Sequence, residues 1–206
     1  MTMTQNKANP ADTLMARRAM IDSQLRTSGV NEEYVLARML AVPREDFLPP
    51  ARAAQAYIDR AVMLGAEGEG TGHLAAPLFY GKLLLEAAPA PQDRVLAVSG
   101  GTGYLAALLR PLVAAVTETS AADAASLEGA GEYDLVVIDG AIEHLPEGLS
   151  AALADNGRIV TGLVLRQVTR LASGRRVAGQ VNLVAIEDLG IPVLAAFAAP
   201  RRWTFA

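Results

Sequence analysis

Residues 95–107, VLAVSGGTGYLAA, constrain this chain more than any other stretch. A β-branched run climbs into a glycine-rich turn and passes into a helix-like segment. That order of elements carries a nucleotide-like ligand to free backbone N–H groups where a helix begins. Gly101 and Gly103 keep a G-x-G spacing. Ser99 stands two residues before Gly101, and Ala97 leaves the strand without an acid. The turn reads as a cofactor loop that has been altered.

What surrounds it is alternation. The runs RVLAVS, AAVTET, YDLVVIDG and GRIVTGLV are short and β-branched, with helical patterns between them. That alternation predicts a parallel sheet with crossover helices. Beyond it, RQVTRLASG and QVNLVAI alternate like antiparallel strands joined through Gly174 and Gly179. Upstream the chain is helical. Asp12 or Thr13 is placed to cap a helix that Gly29 stops, and Asn31 to cap a second that Pro43 ends. A proline-punctuated connector follows over 43–60, then a glycine-rich loop, then a helix entered at Pro77.

Composition narrows the classes. The 206 residues suffice for one sizeable domain, and a net charge of −4 gives no footprint for nucleic acid. There is no cysteine and there are only two histidines, so disulfides and thiolate chemistry are excluded and no metal is expected. The first residues, MTMTQNKANPADT, lack the apolar core of a signal peptide. No apolar run reaches the roughly 20 residues that span a bilayer. A cytoplasmic protein, without membrane partners, is the expectation.

The motifs MIDSQLRTSGV, VLARMLAVPREDFLPP and AYIDRAVMLG, with DRVLAVSGGTGYLAALL, YDLVVIDGAIEHLPEGL and ADNGRIV, carry a resemblance. Over about residues 15–163 the chain resembles the protein-L-isoaspartate O-methyltransferases. The upstream motifs are specific to that family; the glycine turn alone is shared by many nucleotide folds. The resemblance implies an α/β fold, with a Rossmann-like methyltransferase sheet behind an N-terminal helical subdomain. The expected division is a tail over 1–12, the helical subdomain and a family-specific loop over 13–90, and the methyltransferase domain over 91–206 with an antiparallel C-terminal edge. It implies S-adenosylmethionine as cofactor, isoaspartyl-containing proteins as substrates and carboxyl methylation as the reaction.

Several positions depart from the family's pattern. Ala75-Ala76-Pro77 occupies the place of a Ser-Gln-Pro, so Ala75 replaces the family serine and no catalytic residue is assigned. Ala97 stands where the family carries the acid that helps bind the amino-acid part of the cofactor, and Ser99 where it carries a glycine. Glu118 is retained, 19 residues after Ser99, where a carboxylate accepts both ribose hydroxyls. Only 14 residues separate Glu118 from Tyr133, too few for a crossover helix and a third strand together. The sheet is therefore expected to be trimmed around its third strand, with the adenine side of the pocket missing or rebuilt.

The candidate cofactor residues are Ser99, Gly101, Gly103, Glu118 and Asp139, each with a plainer alternative. The turn can be tight without a ligand, Glu118 can be a solvated strand-end carboxylate, and Asp139 can be a neighbour of a turn at Gly140. His73 reads as a surface loop histidine or a substrate-side group, and Glu143-His144 as a capping or solvated pair. The basic LASGRRVAG segment reads as a solvated hairpin tip. Trp203 and Phe205 read as one face of an edge strand, docked on the domain or on a partner. Two functional readings stay open. One is a methyltransferase with a reduced site and impaired activity. The other is a pseudoenzyme scaffold that binds a protein partner or itself, with a homodimer covering the surface that a missing third strand would expose.

Overall fold

The computed structural model describes residues 10–65, 72–128 and 131–199. Helix α1 (Pro10–Met20) runs on through a π-helical turn, Ile21–Leu25, and a 3-10 turn, Arg26–Ser28. Its described part reaches back to Pro10, so Asp12 and Thr13 lie inside the helix and do not cap it. It stops at Gly29, which is left-handed at φ 83°. Helix α2 (Glu33–Ala41) begins two residues after the expected cap. Glu32 is its N-cap and no side chain caps it, so the Asn31 expectation is corrected.

Two 3-10 turns, Arg44–Phe47 and Pro50–Gln55, form the connector. The short strands β1 (Val62–Met63) and β2 (His73–Leu74) then pair antiparallel, which the loop-rich sequence does not announce. Helix α3 (Pro77–Ala87) follows with its proline in the first turn.

The main sheet contains β3 (Arg94–Ser99), β4 (Ala115–Ser120), β5 (Tyr133–Ile142), β6 (Leu153–Leu165), β7 (Val168–Val177) and β8 (Gln180–Asp188). Its order is β4-β3-β5-β6-β7-β8, parallel through β6 and antiparallel beyond. Helices α4 (Tyr104–Leu109), α5 (Ala121–Ala125) and α6 (Glu147–Ala152) make the connections. Between β4 and β5 the described residues hold α5 and no strand, so β4 is the edge. The trimmed sheet expected from the 14-residue spacing is what the chain builds.

In β3 and β5 the period-2 alternation sends side chains to two cores. Val95, Ala97, Leu135 and Val137 join the N-terminal helices on one face. Leu96, Val98, Val136 and Ile138 pack with Leu149 and Phe197 on the other. The hairpin turns after β6 and β7 are both two residues long. Arg166 and Gln167 sit at φ 51° and 66°, and Ala178 and Gly179 at 50° and 80°. Gly174 is therefore not part of a turn: it lies mid-strand opposite Leu183, where a Cβ would come within 2.6 Å of the Asn182 carbonyl oxygen.

The N-terminal helices are locked by one polar cluster. Arg17 donates to the Tyr57 hydroxyl at 2.8 Å, to the Leu40 carbonyl at 2.7 Å and to Glu45 at 3.2 Å. The Tyr57 hydroxyl donates to the other Glu45 oxygen. Burial alone would raise the Glu45 pKa, but the Tyr57 hydrogen bond and the Arg17 charge hold it below the ordinary value. A carboxylate depressed in the folded state stabilises the fold above its unfolded pKa, about 4.3, and that stability is lost as pH falls through the folded value. Glu45→Gln is accordingly expected to flatten the fall in urea midpoint on acidification below about pH 4.3. An unchanged slope would remove Glu45 from the acid transition.

Candidate functional site

The parallel order reverses between β3 and β5: β4 follows β3 on one side, and β5 returns on the other. Ligands of open α/β sheets gather at such a switch point, outside the carboxyl ends of the strands. The glycine turn of residues 100–103 leaves β3 there. A groove of about 500 Å3 lies beside it, lined by Ser99, Gly101, Thr102, Gly103, Glu118, Thr119, Ser120 and Asp123. Four of the five candidate cofactor residues thus share one groove, and Asp139 does not line it.

Glu118 reaches the groove because β3 and β4 run parallel in register, Ala97 opposite Glu118. Its Oε1 would be 3.0 Å from a Cβ on Gly103, a residue at φ 67°. Glycine is required there twice over, for the left-handed backbone and for the space beside the carboxylate. Glu118 also accepts from Arg110 at 3.1 Å and is about a third exposed. Ser99 has a local task. Its Oγ accepts the N–H of Gly101 at 3.0 Å and of Gly103 at 3.4 Å. Two of the loop's own donors are therefore engaged by Ser99.

Beneath the turn lies a buried polar cluster. Asp139 is fully buried one residue past the last β3–β5 rung, Val98↔Ile138. Its Oδ2 accepts from the Tyr80 hydroxyl at 2.8 Å. Burial, then the Asp139 charge, push the Tyr80 pKa well above its ordinary value, so the phenol stays a donor. Asp139 Oδ1 has no hydrogen-bond partner and faces His73 Nε2 at 3.6 Å, itself unpartnered. His73 is only 2% exposed. This corrects its expected place on the surface: pairing of β1 with β2, and the His73 N–H bound to the Gly100 carbonyl at 2.8 Å, draw it inward. A Cβ on Gly100 would sit 2.7 Å from both His73 Nε2 and the Asp139 carbonyl oxygen.

Arg44 completes the cluster. It is fully buried, donates to the carbonyls of Ala56 at 2.6 Å and Ala75 at 2.7 Å, and lies over the rings of Tyr80 and Tyr104. Ala75, expected at the place of the family's serine, contributes only backbone to the cluster: its carbonyl to Arg44 and its N–H to the Tyr80 hydroxyl at 3.3 Å. Sequence reasoning missed the roles of Arg44 and Tyr80. The VPR motif was a signal for Arg44, whereas Tyr80 sits in an apolar helix and gives none.

Other expectations fall elsewhere. Gly140 belongs to a bulge in β5 at φ 151°, with Leu194 packed against it, and is not a free turn. Glu143 and His144 do not cap α6, whose N-cap is Pro146. They bind the following segment, Glu143 through the Ala199 N–H at 2.7 Å and His144 through the Phe197 carbonyl. The exposed hairpin tip of the LASGRRVAG segment is Ala178-Gly179, while Arg175, exposed, and Arg176, half-buried, lie in β7 and donate to the carbonyls of Asn156 and Leu153. Trp203 and Phe205 lie outside the described residues. Among the described residues no group of three or more His, Cys, Asp or Glu could hold a metal, and no helix is long and apolar enough to cross a membrane.

Sheet order, glycine turn and strand-end carboxylate together define a Rossmann-like methyltransferase fold. Two solved protein-L-isoaspartate O-methyltransferase structures superpose on it. One, 16% identical, covers 86% of this chain and 65% of its own at a TM-score of 0.69. The other, from Plasmodium falciparum and in complex with S-adenosyl-L-homocysteine, is 15% identical and covers 88% of this chain and 98% of its own at 0.66. The Koribacter versatilis protein-L-isoaspartate O-methyltransferase is 30% identical over 84% of this chain and 87% of its own length. The family model Protein-L-isoaspartate(D-aspartate) O-methyltransferase (PCMT) matches residues 15–127. The chain belongs to the protein-L-isoaspartate O-methyltransferase family.

Proposed function

We propose that this protein is an S-adenosylmethionine-dependent methyltransferase that esterifies isoaspartyl carboxylates in proteins. The observation that carries the reading is Glu118, held on β4 two residues before its C-terminal end, against the glycine turn inside the groove. A carboxylate so placed accepts both hydroxyls of a ribose. Ser99, Thr102, Ser120 and Asp123 add polar lining suited to a nucleoside. Bound S-adenosylmethionine supplies a methyl group activated on a sulfonium. An isoaspartyl carboxylate is already a nucleophile, so the protein's work is to orient two reactants and exclude water, and Ala75 in place of a serine does not forbid turnover.

Reduced cofactor affinity belongs to the same reading. Ser99 Oγ engages two loop N–H groups, Arg110 competes for Glu118, and β4 has no outer neighbour among the described residues. Ser99→Ala is expected to tighten S-adenosylhomocysteine binding by about thirtyfold, since the two freed N–H groups contribute about 1 kcal/mol each. Calorimetric titration checks this, and weaker binding would show that Ser99 supports the ligand. A cytoplasmic setting, and self-association over the uncovered β4 edge, are carried with this reading; sedimentation velocity reads the latter.

The direct test is transfer of labelled methyl to an isoaspartyl peptide and to its aspartyl counterpart. Base-labile ester on the isoaspartyl peptide alone is the expected result. No ester, with intact cofactor binding, would favour the second reading, a non-catalytic scaffold of the same family. The imidazole of His73 lodged between the strand ends is the observation that favours it.

A further inference from the structure

We infer that Asp139 is the carboxylate that receives a ligand's ammonium group, and that His73 is its internal occupant, standing where that ammonium goes. The inference rests on the reading of the groove as an S-adenosylmethionine site. That molecule presents an ammonium on its amino-acid end, and a cation brought into a dry crevice requires an anion. On β3 the side chain that shares this face is Ala97, fully packed in apolar surroundings. On β5 the same face runs Leu135, Val137 and then Asp139 by strand alternation. The charge that β3 lacks is thus present one strand away, at the switch point itself.

Asp139 is prepared for a second partner. Tyr80 satisfies Oδ2, while Oδ1 is buried with no hydrogen bond. A buried carboxylate oxygen is costly to leave so, and native structures seldom do. The group facing it is His73 Nε2, at 3.6 Å and outside hydrogen-bond range. His73 is held by its backbone to the Gly100 carbonyl, and Gly100 has no side chain to separate the imidazole from the turn. The ring therefore stands buried against Gly100, beside the residues that line the nucleoside groove. A ligand ammonium and the His73 imidazole compete for one oxygen.

Two ligands that differ only at this end test the assignment. S-adenosylhomocysteine carries the ammonium; 5′-methylthioadenosine keeps the nucleoside and thioether and lacks the amino acid. Both are titrated calorimetrically into the wild type, His73→Ala, Asp139→Asn and the double variant. His73→Ala is expected to tighten S-adenosylhomocysteine by about tenfold and leave methylthioadenosine within about twofold. Asp139→Asn is expected to weaken S-adenosylhomocysteine alone, and in the double variant to abolish the gain. Methylthioadenosine affinity doubles as the measure of an intact fold. If His73→Ala disrupts the β1–β2 pairing, His73→Asn must produce the same selective gain. If methylthioadenosine binds but the two ligands shift together, or neither shifts, the assignment of Asp139 and His73 is overturned and the groove reading stands. If neither ligand binds any form, both are overturned.

Discussion

Arg44→Ala is expected to lower folding stability by about 4 kcal/mol, and to lower Tm by about 10 °C in a chain of this length. Arg44 donates two charge-assisted hydrogen bonds, to the carbonyls of Ala56 and Ala75, from a fully buried position. Each such bond is worth roughly 1.5–3 kcal/mol, and its loss strands a buried acceptor. The guanidinium also fills the space against Tyr80 and Tyr104, which alanine leaves empty. Arg44→Lys restores the charge but not the planar fork, so it should recover less than half of the loss. Thermal melts of the three proteins decide the matter. A drop under about 1 kcal/mol for Arg44→Ala would mean that water replaces the guanidinium without cost. Because Arg44 ties the connector to Ala75, the residue that follows β2, the loss should also loosen His73, two residues upstream.

Glu118→Ala is expected to weaken S-adenosylhomocysteine binding by about a hundredfold or more. Two hydroxyls bound to one carboxylate contribute roughly 1.5–3 kcal/mol each, at about 1.4 kcal/mol per decade. Arg110 reduces the effect, because its guanidinium already holds the free carboxylate at 3.1 Å. The pair is solvent-exposed on the Arg110 side, so that competition is worth under about 1 kcal/mol. Arg110→Ala should then tighten binding slightly, and Glu118→Gln should fall between the wild type and Glu118→Ala. Titration of the four proteins reads all three effects. Equal affinity for Glu118→Ala and the wild type would detach this carboxylate from the ligand.

The sheet was legible because β-branched runs of fixed spacing admit few arrangements, and the arithmetic from Glu118 to Tyr133 left no room for a further strand. The grouping of Ser99, Gly101, Gly103 and Glu118 followed from the same spacing. What stayed hidden was set by distant contacts. His73 lies in a glycine-rich stretch that looks solvated, and only its pairing with β1 and the Gly100 carbonyl buries it. Tyr80 is one apolar position among many on α3 until Asp139, 59 residues later, meets its hydroxyl. The basic residues of β7 likewise find their acceptors across the sheet, at carbonyls that local patterning does not reveal.

The edge position of β4 bears on which nucleobase the groove accepts. On the function proposed above, a base laid past Glu118 meets β4, which has no outer neighbour among the described residues. Rejection of a wrong base depends on buried donors and acceptors left unpaired by it, and an open flank lets solvent satisfy them instead. On that function, selectivity is expected to rest on the sugar and the amino-acid end, with the purine read loosely. A hypoxanthine analogue of S-adenosylhomocysteine is expected to bind nearly as tightly as the parent, and calorimetric titration of the two checks this.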